Sequence, residues 1–302
     1  MQEIITRAGS YVFIIILGML LRKAGVFKKE DFRVLSNLMV KVTLPAAIIY
    51  NFAGSAVEPS LLPVLLIGMG GGLIGMGIAF LITGRSTADE RAFAIINLSG
   101  YNVSCFTLPF LLGFIGTGGM IATGLFDSGN AAICLGGAYA VAAMIKDGTG
   151  FSLKKIGKSL IKTPPFDCFL LMLFMNSFGL NFPAPVLSVA EVIGGANAFV
   201  AMLMIGVGFN FPSERSQLRD IGKFLLIRYI TAAVLALICL KALPYALEVR
   251  QAIAILLFSP ITSAAPAFTG SLNGNVGLSS TLNSMSILCS LVFMVTFMML
   301  MA

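Results

Sequence analysis

Ten long apolar runs fill almost the whole of this chain and leave little room for any other kind of structure. Bounded by charge, glycine or proline, the first five cover residues 4–21, 32–53, 61–83, 91–113 and 118–145. The second five cover 163–180, 186–210, 222–245, 250–272 and 278–301. A helix rises about 1.5 Å per residue, so roughly 20 apolar residues cross the roughly 30 Å of hydrocarbon in a bilayer. Backbone polar groups find no water there, so each run is read as a helix that satisfies them internally. Only 11% of residues are charged, against about 25% in a soluble domain. No polar segment is long enough to form a second domain. A soluble enzyme on an anchor, a secreted disulfide scaffold and a disordered chain are all excluded. The first run is read as a true span, because Glu3 and Arg7 lie at its start and no small-residue cleavage site follows it.

Residue types narrow the chemistry. Histidine is absent, which removes the commonest zinc ligand and proton shuttle. Cys105, Cys134, Cys168, Cys239 and Cys289 all lie inside apolar runs and form no CxxC pair, so no metal or cofactor is expected. No GxSxG, HExxH or paired-aspartate motif occurs in the runs, so no enzyme activity is expected.

The basic residues orient the chain. Arg22, Lys23, Lys28, Lys29 and Arg33 lie between runs 1 and 2, and Arg85 and Arg91 between runs 3 and 4. Lys146, Lys154, Lys155, Lys158 and Lys162 lie between runs 5 and 6, and Arg215, Arg219, Lys223 and Arg228 between runs 7 and 8 or on that flank. These 16 face one side, against Arg7, Lys241 and Arg250 on the other. Positive charge marks cytoplasmic loops, so both termini are expected on the non-cytoplasmic side of the inner (plasma) membrane. The two sets alternate only if there are ten spans. An odd number of spans per half then places the halves in opposite orientations, as in an inverted-topology repeat. The expected division is 1–147 as the first repeat, 148–162 as a basic cytoplasmic linker, and 163–302 as the second repeat. Weak echoes accompany it: RAFAIINLSG (91–100) with QAIAILLFSP (251–260), and LFDSGN (125–130) with TLNSMS (281–286).

Carriers built from such repeats hold substrate near the midplane, at interrupted helices in matching positions of the two halves. Run 4 contains GYNVSCFTLPF, with Asn102, Ser104 and Pro109; run 9 contains SPITSAAPAFTG, with Pro260, Ser263 and Pro266. A proline inside a helix removes a donor and clashes with the preceding turn, which frees backbone groups to line a polar cavity. Lys41 and Asp127 are the ionisable groups read as deep in the membrane, where charge is costly and usually functional. Either they pair with each other, or Lys41 attracts an anionic substrate while Asp127 binds a proton or cation. Asn37, Lys41 and Pro45 share a helix face by spacing, and so do Asp127 and Asn130. Asn283 is the second-half counterpart of Asp127. The run GMGGGLIGMG (68–77) lacks the Lys-Ser/Thr ending of a phosphate loop and is read as a close-packing surface, and Asn97 and Asn197 as helix glue or site lining.

Taken together, these features resemble the auxin efflux carrier family, whose bacterial members include malate and malonate permeases. LSNLMVKVTLPAAIIYNF (35–52) resembles the family's second span around Leu44 and Pro45. Asn102, Leu108 and Pro109 match the fourth span's N-x-G-F-x-G-I/L-P, with Ser104 and Thr107 in place of the glycines and Cys105 in place of the aromatic. MLMIGVGF (202–209) and AAPAFTG (264–270) resemble stretches of the seventh and ninth spans. The resemblance implies a ten-helix fold shared with bile acid–sodium symporters, with broken helices 4 and 9 crossing as an X. Helices 1, 2, 6 and 7 would form a scaffold, often the homodimer-forming part. Helices 3, 4, 5, 8, 9 and 10 would form a moving core. Asn102, Pro109 and Pro266 carry over as crossover residues.

The expectation is thus an all-α integral membrane carrier of a small organic anion, such as a dicarboxylate, working by alternating access. Substrate would meet Asn102, Ser104, Pro109, Ser263, Pro266 and Lys41. Asp127, Asn130 and Asn283 would hold the coupling ion, a proton being favoured over sodium, with no coupling also open. Two alternatives stand beside it: a sodium-coupled carrier of bile-acid-like or sterol-like molecules, and a sensor that binds ligand without moving it. No nucleic-acid partner is expected.

Overall fold

A computed structural model describes residues 2–28, 30–53, 59–111, 114–147, 164–212 and 215–301. The basic linker 148–162 lies outside the described residues. Every apolar run is helical over described residues, and no strand is named among them; Tyr101 and Ile261 form an isolated bridge. Helix boundaries follow the runs to within a few residues at most ends, as Gln2–Lys23, Val64–Ile82 and Val276–Met301 show. Among the described residues, five helices are long and apolar enough to cross a membrane: Asp31–Phe52, Pro59–Ile82, Ala184–Gly208, Leu218–Ala242 and Val276–Leu300. Their outer faces carry large apolar side chains such as Leu81, Val192 and Leu226, as a lipid-facing surface requires.

Local sequence explains where the helices start, stop and deform. Thr87 and Glu90 form a reciprocal capping box that begins Ala88–Ser99. Basic side chains satisfy orphan carbonyls at helix ends: Arg22 on Val207, Arg91 on Thr83 and Gly84, Lys146 on Leu272, and Arg250 on Leu240. Lys146 also pairs with Asp89 at 2.7 Å. Two prolines stand just beyond a widened π-turn, Pro45 after Met39–Thr43 and Pro109 after Val103–Thr107. The wide turn removes the clash that proline makes with a tight preceding turn. It also rotates the helix beyond it, so Asn37 and Lys41 are less enclosed than Pro45, which is buried. The shared face expected for those three residues is therefore broken.

The helices pack in two groups. Gln2–Lys23 lies along Asn197–Gly208, and Leu44–Phe52 is flanked by Pro164–Ser177 and Ala184–Gly195. In the second group Val64–Ile82 packs against both Ala88–Ser99 and Thr117–Ala132, and Leu247–Leu257 against Thr117–Ala132 and Arg215–Ala242. The tightest approach uses the glycines of run 3. A Cβ on Gly68 would overlap the Phe126 carbonyl oxygen, and one on Gly129 would overlap that of Leu65. Asn97 and Asn197 act as glue: Asn97 accepts from Ser279 at 2.7 Å, and Asn197 from Thr43 at 2.9 Å.

Candidate functional site

Both broken runs lose helical structure at their middles, and the two breaks touch. Run 4 is helical over Ala88–Ser99, extended through Gly100 and irregular at Asn102, and then resumes at Val103. Run 9 is helical over Leu247–Leu257 and again over Ala265–Ser271. Tyr101 bridges Ile261, and the Asn102 backbone amide donates to the Pro260 carbonyl at 2.9 Å. Thr107 Oγ1 donates to Ser259 Oγ at 2.7 Å, which ties the breaks together a second time.

The neighbouring helices brace the unwound backbone with side chains. Asn130 accepts from the Tyr101 amide at 3.0 Å and donates to the Tyr101 carbonyl at 2.9 Å. On the other break, Ser286 Oγ accepts from the Ile261 amide at 3.0 Å. Asn283 donates to the carbonyls of Ile261 and Thr262, at 2.7 and 3.0 Å. Asn130 and Asn283, expected as ion ligands, thus use their amide nitrogens to hold the broken helices, and Asn130 uses its amide oxygen as well. Freed backbone groups that would be orphaned in hydrocarbon are satisfied in this way.

Two cavities meet at the breaks. One of about 190 Å³ is lined by Asn102, Ser104, Cys105, Asp127, Asn130 and Ser263, with Ser36, Val40 and Phe52 from run 2 among its walls. The other, of about 230 Å³, is lined by Asn102, Ser263, Pro266 and Asn283, with Phe32, Met204 and Asn210 across from them. Asn102 and Ser263 belong to both. The Asn102 side-chain amide makes no hydrogen bond among the described residues, and Ser263 Oγ contacts only Cys105 Sγ, at 3.7 Å. Asp127 is half-buried; Ser104 Oγ donates to one carboxylate oxygen and Asn130 to the other at 3.1 Å.

Three sequence expectations need correction. Lys41 is exposed on the outside of run 2, lines neither cavity and pairs with nothing among the described residues. The pairing of Lys41 with Asp127 is not formed. Pro109 is buried but lines neither cavity, because the break falls earlier, at 100–102, and proline sits in the first turn of Leu108–Leu111 with its carbonyl accepting from Tyr11 at 3.3 Å. Arg228, counted with the cytoplasmic charges, is only 6% exposed and lies at the meeting point of the breaks. Its removal from that set leaves 15 basic residues against 3, so the asymmetry survives. A signal for Arg228 exists in the sequence: it stands six residues inside run 8, about 9 Å along a helix axis.

The geometry is that of a polar pocket inside an apolar helical body, and comparison with known proteins bears on its class. Residues 10–146 match the family described as membrane transport protein. The first half of the chain is thus similar to a membrane transport family, which supports reading the chain as a membrane transporter. An uncharacterized transporter of Methanothermobacter thermautotrophicus is similar over 259 residues at 24% identity, covering 80% of this chain and 82% of that protein. Both similarities point to a membrane transporter rather than an enzyme. For such a transporter, a cavity at a helix break is the natural place for cargo.

Proposed function

We propose that this transporter is a secondary carrier that moves a small organic anion by alternating access. One observation carries the reading: Asn102 and Ser263, two polar side chains free to bind, line two cavities that open between different sets of helices. Alternating access needs one central site that is exposed to one side at a time, and side chains shared by two cavities are suited to such a site. The ten runs would be ten spans in two inverted halves, with both termini on the non-cytoplasmic side. Support comes from the charge asymmetry and from the matching braces, Asn130 on Tyr101 and Ser286 on Ile261. Runs 1, 2, 6 and 7 would be the scaffold, and the remaining six the moving core; the two packing groups support that division.

Anion selectivity follows from helix polarity. The helical segments that resume at Val103 and Ala265 present their N-terminal, partially positive ends beside Asn102 and Ser263. A carboxylate there would accept from backbone amides, the Asn102 side-chain amide and the Ser263 hydroxyl. The cavity volumes favour small cargo. A three- or four-carbon dicarboxylate needs on the order of 100 Å³, a few water volumes of about 30 Å³ each. Drug-sized ligands occupy pockets of about 300–1,000 Å³. Both cavities fall below that range, which disfavours a bile-acid-like or sterol-like substrate.

Counterflow in liposomes tests the reading. Purified protein preloaded with one dicarboxylate is expected to exchange labelled three- to five-carbon dicarboxylates and to exchange a bile acid at least tenfold more slowly. Preference for the bile acid would overturn the size argument, and tight binding without exchange would make the protein a sensor.

A further inference from the structure

We propose that the meeting point of the two broken helices is a monovalent-cation site whose resident cation is the guanidinium of Arg228, so that no free ion is needed there. Four backbone carbonyls converge on this one side chain. Nη2 stands 3.0 Å from the Gly100 oxygen, 2.9 Å from that of Ser259 and 3.0 Å from that of Pro260, and Nη1 stands 3.3 Å from that of Leu98. An Nη nitrogen has two hydrogens, yet Nη2 is shared among three oxygens. That arrangement is closer to a cation in a cage of dipoles than to a set of paired hydrogen bonds. The ring of Tyr101 closes one side, its centroid 5.0 Å from the guanidinium carbon.

Charge balance supports the assignment. No carboxylate pairs with Arg228 among the described residues. Instead, Leu98 and Gly100 belong to the C-terminal end of Ala88–Ser99, and Ser259 and Pro260 lie just past that of Leu247–Leu257. Each helix C-terminus carries roughly half a negative charge. Two of them together match one guanidinium. Oxygen-only donor sets suit hard monovalent cations, and a guanidinium held by run 8 occupies the place such an ion would take. The breaks thus have their negative ends neutralised by Arg228 while their positive ends remain available to the cavities.

The consequence for transport rests on the carrier reading; the consequence for binding does not. Truncation of Arg228 takes a donor from four buried carbonyls, of which that of Pro260 keeps the Asn102 amide, and a small cation from solution is expected to replace it. The experiment measures thermal unfolding of the detergent-solubilised full chain in choline, sodium, potassium or millimolar guanidinium chloride at fixed ionic strength. Wild type is expected to show the same Tm in all four. Arg228→Ala is expected to unfold earlier in choline and to gain at least about 3 °C in guanidinium, sodium or potassium. If Arg228→Ala yields folded protein only when purified with one of those cations, the proposal is equally supported. A variant as stable as wild type in choline, or one that no cation restores, overturns it. In liposomes, wild-type anion exchange is expected to be unchanged when choline replaces sodium. Sodium-dependent exchange by wild type would overturn the tethered-cation proposal while leaving the anion reading standing; absence of any anion exchange would do the reverse.

Discussion

Gly68→Ala is expected to cost about 3 kcal/mol of stability, whereas Gly70→Ala, two residues away in the same glycine run, is expected to cost nothing measurable. A methyl on Gly68 would overlap the Phe126 carbonyl oxygen, a contact that only separation of the two helices can relieve. A methyl on Gly70 meets nothing within 4 Å, and alanine is the better helix former there. The clash also acts on the site. Phe126 adjoins Asp127, and the reciprocal contact, Gly129 on Leu65, adjoins Asn130. Pushing run 5 away from run 3 would therefore loosen the Asn130 brace on Tyr101. Thermal unfolding of the two variants checks this: Gly68→Ala is expected to lose roughly 6–12 °C. Equal melting temperatures for both variants would contradict the close approach.

Asp127→Asn is expected to abolish accumulation driven by a pH gradient while leaving counterflow exchange in place. The carboxylate lines the same cavity as Asn102 and Ser263. An ionised carboxylate repels an anionic substrate beside it, and a protonated one does not, so substrate binding and protonation favour each other. Movement of both together is proton symport. Asparagine keeps the size of the side chain and can still accept from Ser104, as Asp127 does. It cannot carry a proton across, so the gradient loses its handle. Uptake into liposomes with an imposed pH difference measures this. Full gradient-driven accumulation by Asp127→Asn would remove Asp127 from coupling.

Much of the helix plan is legible in the sequence because apolar runs of about 20 residues have one stable form in hydrocarbon. The glycine run is legible for a similar reason: small residues in a span serve close packing, and Gly68 and Gly72 do so here. Depth along a helix is also readable, which is why Asp127 and Asn102 arrive at the cavity. Which face a side chain takes is not. Lys41 takes the outer side of run 2 beside Val40, which lines the cavity, and no local pattern announces which of the two faces inward. Proline is a poor guide to the centre of the first break. The helix already resumes at Val103, ahead of Pro109, and Gly100 marks the unwound backbone. The role of Arg228 is hidden from the sequence because it depends on a carbonyl about 130 residues away at Leu98 and another at Ser259, which only the tertiary structure brings together.

The proposed mechanism requires an organic anion to pass through the cavity pair at the breaks and to be held there by Asn102 and Ser263. Neither side chain has a strong internal partner, so the double variant Asn102→Ala/Ser263→Ala should fold normally. The deciding measurement is the initial rate of labelled dicarboxylate uptake by wild type and by the double variant, at equal protein and confirmed equal melting temperature. Robust uptake by wild type is expected, with at least a tenfold loss in the variant, the equivalent of about 1.4 kcal/mol or more of binding. An unchanged rate in the variant, or no flux of any organic anion through wild type, would contradict the mechanism.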